Sequence, residues 1–482
     1  MDIKLPNEVL ELMSKFTGAG YQIYVVGGAV RDLLLKRPVH DWDFTTDAKP
    51  EEILKLFPEG FSNNKFGTVG IPSDDQILEV TTMRKEGIYK DFRHPDSVSW
   101  TKKIEEDLAR RDFTINTMAL GQTNQRISES AKASPTTSEQ SSQPVNQLTS
   151  SLILIDPFSG QADLEGSLIR AVGDPNKRFQ EDALRLIRAI RIGAELGFDI
   201  EKETFAAIKI QANLIAEIAN ERIRDELFKL LASTNPYMGI VKLREAGILQ
   251  IVLPELERTF GIVQEGPKHD RIYDIGEHSL LSLKNTPSTD PIVRLAALLH
   301  DVGKSDTVST ASDGNVTFYN HDLVGGKIVR QIGKRFNMSK YQLEKLYSLV
   351  RWHLFTVDEK QTDAAIRRFI KNVGLENIPD IMAVRVGDRL GGGTATAVSW
   401  RMEEFLKRID QVMQKPFSIS DLKVTGNDVM KTLNIKPGRK VGEILQKLFK
   451  EIQADDSKNN KEYLLNRITQ LQEQFYSKMS PE

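Results

Sequence analysis

Two aspartates one residue apart, Asp41 and Asp43, follow shortly after a glycine pair, Gly27-Gly28, that ends the apolar run Ile23-Tyr24-Val25-Val26. Carboxylates at i and i+2 of a strand project from one face and repel each other. A hard, oxygen-seeking cation such as Mg²⁺ offsets that repulsion. Two glycines let the backbone approach a phosphate closely, and the N–H groups of such a turn at a helix start form an anion-binding concavity. A metal-binding carboxylate pair beside a phosphate-binding turn is the equipment of phosphoryl or nucleotidyl transfer. An isolated Asp-x-Asp is more often a surface turn; the double glycine and the strand context argue for the site. Glu79, an acid inside the apolar strand pattern Ile77-Leu78-Glu79-Val80-Thr81-Thr82, is the candidate third member, against the alternative of an edge-strand acid facing water.

Three further groups have chemistry-bearing spacing. Arg110-Arg111-Asp112-Phe113-Thr114-Ile115-Asn116 offers adjacent arginines for a triphosphate and Asp112 or Asn116 for a ribose hydroxyl. In the helical stripe Phe179-Gln180-Glu181-Asp182-Ala183-Leu184-Arg185, Asp182 and Arg185 lie one turn apart on a shared face. That pair is either an i,i+3 salt bridge or a set of acceptors and donors for a base edge. Five histidines, His269, His278, His300, His321 and His353, gather in one helical region with the doublet His300-Asp301 and a later Asp388. Imidazole and carboxylate donors without thiolates suit Mn²⁺, Fe²⁺, Co²⁺, Ni²⁺ or Mg²⁺ more than structural zinc, whereas a lone histidine is usually a solvated or capping residue.

The elements that must position these residues are legible in outline. Spacing predicts a helix over 7–16 with Asn7 as cap, a strand at 23–26, a helix from Ala29 and a strand carrying both aspartates. Pro50 with its acidic followers starts another helix, and 66–71 with 76–82 read as paired strands. Residues 84–95 are charged and aperiodic, a mobile loop beside the site. From 122 to 151 Ser, Thr, Gln and Asn dominate, a composition that cannot repay ordering entropy, so a floppy insertion is expected. Leu152-Ile153-Leu154-Ile155 resumes a strand, and beyond about residue 170 the pattern is helical. The 482 residues are enough for about three domains. A charged fraction of 27% is that of a globular chain, the net charge of −2 leaves nucleic-acid contact to local patches, and the zero cysteines exclude disulfides and thiolate metal sites. No apolar run reaches bilayer length and no secretory leader pattern opens the chain, so a cytoplasmic location is expected.

These motifs together resemble the class II CCA-adding tRNA nucleotidyltransferase and bacterial poly(A) polymerase family over most of the chain. The head signature is Gly27-Gly28-Ala29-Val30-Arg31-Asp32 with Asp41-Trp42-Asp43-Phe44, followed by the ribose-discriminating 110–116 motif and the nucleotide-reading 181–185 motif. Ala219-Asn220-Glu221-Arg222-Ile223-Arg224-Asp225-Glu226-Leu227 resembles the later neck motif. The resemblance implies that Asp41 and Asp43 bind Mg²⁺, that Glu79 places or deprotonates the tRNA 3′ hydroxyl, and that Asp182 and Arg185 pair with incoming CTP or ATP. Gly27, Gly28, Arg31, Arg111, Asp112, Asn116 and Arg188 complete the candidate nucleotide-binding set. The 84–95 segment resembles the family's flexible loop, which enzymes adding only CC typically lack. Thr117 departs from the family's usual alanine, a change a helix tolerates.

The second half resembles an HD-type phosphohydrolase domain, with His278, His300, Asp301 and Asp388 at metal-ligand positions and His321 and His353 at the extra positions of two-metal versions. Mn²⁺, Ni²⁺ or Co²⁺ and activity on 2′,3′-cyclic phosphates or phosphate monoesters are implied. Lys436, Arg439 and Lys440, with Lys447 and Lys450, resemble an RNA-gripping tail, or else an ordinary solvated helix surface. The expected fold is an α/β nucleotidyltransferase head with a mixed sheet over 1–170, then an all-α neck over 171–265, an HD domain over 266–412 and a tail over 413–482. The expected partners are tRNA, CTP and ATP, with no membrane and no inferable protein partner. The rival readings are an A-only enzyme or poly(A) polymerase and, in another class, a phosphohydrolase whose head merely binds nucleotide or RNA.

Overall fold

The computed structural model describes residues 3–62, 67–73, 76–87, 96–122, 152–265, 272–312, 314–355, 361–414 and 419–477. Nearly all of the expected 122–151 insertion, most of the 84–95 loop and His269 lie outside the described residues. The chain opens with helix α1 (Asn7–Gly18), which buries Val9, Leu12, Met13 and Phe16. Asn7 is inside this helix and Pro6 is its cap residue, because proline's fixed φ already directs the chain into the first turn.

Strand β1 (Ile23–Val26) leads through Gly27 into helix α2 (Gly28–Leu34), and strands β2 (Asp43–Thr46), β3 (Phe61–Ser62), β4 (Thr68–Ser73) and β5 (Gln76–Thr82) follow. With Ala119–Gln122 and Leu152–Ile155 they form one seven-stranded mixed sheet in the order β3-β4-β5-β2-β1, then 119–122, then 152–155. β2 pairs with β5 in parallel and with β1 antiparallel. The expected aspartate strand begins at Asp43, so Asp41 belongs to the approach to the strand and not to the strand itself.

Among the described residues beyond the head the chain is helical apart from three short strand pairs, Leu168–Ile169 with Asp199–Ile200, Val263–Glu265 with Ile272–Asp274, and Ser309–Thr310 with Val316–Thr317. Strands of two or three residues carry too little periodicity to read. One large apolar cluster runs from Leu5 through the neck to Val412, a smaller one on the head gathers Tyr24, Val26, Met83 and Leu108, and the last helices bury their own, including Val429, Ile444, Leu448 and Ile468. The helices Ile275–Asn285 and Ile378–Gly391 approach closely because Gly387 and Gly391 face Thr286 and Ser282; a Cβ on Gly387 would collide with Thr286 Oγ1. Among the described residues no helix is long and apolar enough to cross a membrane.

Candidate functional site

The sheet register assembles the head site. Val26 pairs with Asp43, Asp43 with Glu79, and Glu79 with Gly70, so the two acids stand side by side on interior strands, at the end of the sheet where β1 leads into Gly27; Glu79 is exposed there but not on an edge strand. Like charges directly opposite on neighbouring strands destabilise the pair, and this placement favours a bound cation. Asp43 reaches the surface, yet desolvation by the surrounding cleft wall pushes its carboxyl pKa up; the Arg111 guanidinium opposes this, and the Glu79 and Asp41 charges add to it. Asp41 is exposed just ahead of the strand. The three carboxylates do not converge to the 4.8 Å spacing found in the second site described below.

A cleft of about 340 Å³ opens at this end of the sheet, lined by Gly27, Gly28, Asp43, Arg110, Arg111, Asp112, Asn116, Asp182, Arg185 and Arg188 among others. Nine of the proposed head residues therefore share one cavity, while Asp41, Glu79 and Arg31 lie outside its lining. Gly27 has φ +72 and ψ −136, a conformation nearly closed to other residues, and a Cβ there would sit 3.0 Å from Arg111 Nη1 and 3.7 Å from Asp43 Oδ2. Gly27→Ala is expected to cost about 1–3 kcal/mol of stability from backbone strain alone. An unchanged urea unfolding midpoint would contradict that expectation.

The arginines are held in a network. Asp112 accepts hydrogen bonds from Arg188 Nε at 3.0 Å and Nη2 at 2.8 Å, and from Asn116 Nδ2 at 3.2 Å. Asn116 Oδ1 accepts from Arg31 Nη1 at 3.0 Å, which places Arg31 behind the cleft as a support. Burial would raise the Asp112 pKa, but Arg188 and Arg185 outweigh it and hold the carboxyl well below the usual range. Arg110 and Arg111 rest on the buried Asp107, at 2.9 and 3.5 Å. Asp107 was not singled out from sequence, although its i,i+3 and i,i+4 spacing to the two arginines was visible.

Asp182 and Arg185 are arranged differently from the helical face that spacing predicts. The helix Pro175–Glu181 ends before Asp182, whose backbone is extended at φ −141, and a new helix starts at Leu184. Asp182 Oδ1 accepts from the Leu184 N–H at 3.1 Å, and its carboxylate pairs with Arg222 of the neck motif at 3.0 Å. Arg185 pairs with Glu181 at 2.6 Å and donates to the carbonyls of Arg178 and Arg110. Neither the single helix nor an i,i+3 bridge forms, because an Asx cap and a cross-neck arginine outcompete the local pair. Both side chains still line the cleft.

The second site lies where the two glycine-bearing helices cross. His278 Nε2 is 3.2 Å from Asp388 Oδ1, and His300 Nε2 is 3.2 Å from Asp301 Oδ2. Asp301 Oδ1 lies 3.4 Å from His321 Nε2 and 3.7 Å from His353 Nε2. Two groups able to hold a metal thus share Asp301: His278, His300 and Asp301, and Asp301, His321 and His353. The donor set fits such ions. Nδ1 of His300, His321 and His353 is within 2.8, 2.9 and 2.7 Å of the carbonyls of Ala297, Phe318 and Val350, so an Nδ1–H donated there leaves each Nε2 lone pair for a metal. Burial alone would lower the His300 pKa, but Asp301 and Asp388 outweigh it and push it up to about 10. Against burial, His300 and Lys304 hold Asp301 well below the carboxylate range, as His278 and His300 hold Asp388. Burial and the His300 charge push His353 down to about 4. Lys304, 2.6 Å from Asp301 Oδ2, and Arg385, 3.0 Å from Asp388 Oδ2, border this cavity of about 760 Å³ and were not singled out from sequence.

The tail cations sit at the solvent surface. Lys436 and Arg439 are exposed, Lys440 is half-buried, and Arg439 pairs with Glu443 at 2.9 Å.

A mixed-sheet head with a glycine turn and paired acids, joined through helices to a His/Asp metal cluster, defines a nucleotidyltransferase fused to an HD domain. Comparison agrees: a family model described as Poly A polymerase head domain matches residues 23–135, and one described as HD domain matches 276–390. Models for an RNA-binding segment of polymerase A and for a second domain of tRNA nucleotidyltransferases match 197–260 and 394–468. The CCA-adding enzyme of Ligilactobacillus salivarius is 30% identical over 475 residues, covering 98% of each chain, and that of Levilactobacillus brevis is 30% identical over 479. Among solved structures, the Bacillus stearothermophilus CCA-adding enzyme in complex with CTP aligns over 98% of both chains with a TM-score of 0.67 and 24% identity. The Thermotoga maritima CCA-adding enzyme complexed with tRNA_CCA covers 97% of this chain and 96% of its own with a TM-score of 0.53. The chain belongs to the CCA-adding enzyme family.

Proposed function

We propose that this protein adds CMP and AMP to the 3′ end of tRNA without a nucleic-acid template, taking CTP and ATP and releasing pyrophosphate. The observation that carries the reading is the cleft in which Gly27, Asp43, Arg111, Asp112, Asp182 and Arg185 meet beside the Asp43–Glu79 strand pairing. Hard oxygen donors at Asp41 and Asp43 fit Mg²⁺, which when bound supplies charge neutralisation for the transferring phosphoryl group. Arg111, braced on Asp107 and laid against Gly27, meets the triphosphate; Asp112, fixed by Arg188, and Asn116 bind the ribose. Glu79 helps to place or deprotonate the 3′ hydroxyl. Asp182 and Arg185 present acceptors and donors to the base, each preset by a partner, Arg222 and Glu181. Lys436, Arg439 and Lys440 hold the tRNA backbone with salt-sensitive affinity.

The domain division follows function: head over 1–170, neck over 171–265, HD domain over 266–412 and RNA-gripping tail over 413–482. In the HD domain, His278, His300, Asp301 and Asp388, with His321 and His353, hold Mn²⁺, Ni²⁺ or Co²⁺ for hydrolysis of phosphate esters or 2′,3′-cyclic phosphates.

Incubation with tRNA lacking CCA, given CTP and ATP separately and together, tests the reading. Incorporation of two cytidines and one adenosine is expected; adenosine without cytidine would convert the enzyme to an A-only type or a poly(A) polymerase. Arg185→Ala is expected to reduce discrimination between nucleotides by about tenfold or more while tRNA affinity holds, since a paired donor set for a base edge is worth about 1–3 kcal/mol. Unchanged selectivity in competition assays would return Arg185 to a purely structural role with Glu181.

A further inference from the structure

Two cavities meet beside the His/Asp cluster and share a wall made by Leu354, Arg385 and Arg389. The larger, about 760 Å³, contains the cluster and has room for one nucleotide. The smaller, about 480 Å³, lies across that wall and is bounded by Ser399, Trp400, Arg401 and Met402. A substrate no larger than a mononucleotide would leave it unused.

The chemistry of the second cavity is specific. Arg389 borders both spaces; its Nε is buried with no hydrogen-bond partner among the described residues, and its Nη2 donates to the Thr396 carbonyl at 3.4 Å. Arg385 ties the shared wall to the cluster through its 3.0 Å bond to Asp388 Oδ2. Trp400 is 58% exposed, an unusual position for the largest aromatic, with the Arg401 guanidinium 5.3 Å from its ring centroid. Two guanidinium groups, Arg385 and Arg389, lining the junction and an aromatic ring more than half exposed beyond them match what single-stranded nucleic acid needs. The phosphate goes to the arginine and the base stacks on the ring.

We propose that the second cavity is a nucleotide subsite, and that the HD site acts on the 3′ end of an RNA strand in preference to free nucleotides. The terminal nucleoside occupies the larger cavity, the internucleotide phosphate meets Arg389, and the penultimate base stacks on Trp400. Hydrolysis of a terminal 2′,3′-cyclic ester there forms one P–O bond from water and breaks one P–O ester bond, with a proton from water passing to the leaving sugar oxygen. This inference rests on the phosphohydrolase reading of the HD domain.

The test compares a dinucleotide ending in a 2′,3′-cyclic phosphate with the matching cyclic mononucleotide, using the full chain loaded with Mn²⁺, Ni²⁺ or Co²⁺. A kcat/KM advantage of about tenfold or more for the dinucleotide is expected, lost in Trp400→Ala and kept in Trp400→Phe, which retains a stacking face. Equal use of the two esters, or an advantage that survives Trp400→Ala, would overturn the proposal. Calorimetry in EDTA measures the subsite without metal or turnover: dinucleotide affinity is expected to fall about tenfold in Trp400→Ala, and equal affinities would again overturn it. If neither ester is hydrolysed with any of the three metals, the phosphohydrolase reading fails, and calorimetry alone decides the subsite.

Discussion

Asp43→Asn is expected to lower nucleotide incorporation about a thousandfold or more, because losing one charged metal-facing oxygen removes several kcal/mol of transition-state stabilisation. Asp43 is the acid that faces the cleft, directly beside Glu79 in the sheet register and 3.7 Å from the position a Gly27 side chain would take. Asparagine keeps the shape and removes the charge. The fold should tolerate the change, since Asp43 sits among like charges and its carboxyl pKa is already raised by desolvation and by Glu79 and Asp41. A thermal melt equal to that of the parent, retained hydrolysis at the HD site and absent CTP incorporation are the expected set of results. Incorporation within tenfold of the parent would remove Asp43 from the reaction and with it the assignment of the cleft.

Asp301→Asn is expected to do the reverse. One carboxylate is shared by both candidate metal groups, with Oδ2 facing His278 and His300 and Oδ1 facing His321 and His353. Its replacement should reduce bound metal at both positions and lower phosphate-ester hydrolysis by about a thousandfold. Lys304 would lose its buried partner at 2.6 Å, a change that typically costs about 3–5 kcal/mol. The melting temperature of this variant should therefore fall, and Asp388→Asn, whose carboxylate lies nearer solvent, provides the control that separates lost metal from lost fold. Metal content by mass spectrometry and CTP incorporation on the same preparation check the prediction. If the folded variant lost nucleotide addition as well, the two sites would not be independent.

The two substitutions also separate what was legible in the chain from what was not. Asp43 and the His300-Asp301 doublet stood out because their neighbours are close in sequence: a glycine pair before one, an apolar helix before the other. Asp182 misled for the same reason. Its spacing to Arg185 fits one helical turn, yet its carboxylate is taken by the Leu184 N–H and by Arg222, forty residues away. Arg31 and Arg188 were legible as cations near the site, but their partners Asn116 and Asp112 are contributed by other segments. Asp107, Lys304 and Arg385 carry no such local signal, because a charged residue inside a helix reads as solvated until its burial is known.

By itself the sequence determined the residue types, their short-range spacing and the order of their motifs along the chain, since turn chemistry and helical or strand period are local properties of the backbone. The tertiary structure alone decided which acids became neighbours. Glu79 meets Asp43 through a parallel strand pairing, and His278 meets Asp388 through a helix crossing allowed by Gly387 and Gly391. Register and crossing are set by how distant apolar faces pack into one core, and that packing energy belongs to the assembled surfaces and to no single stretch of chain.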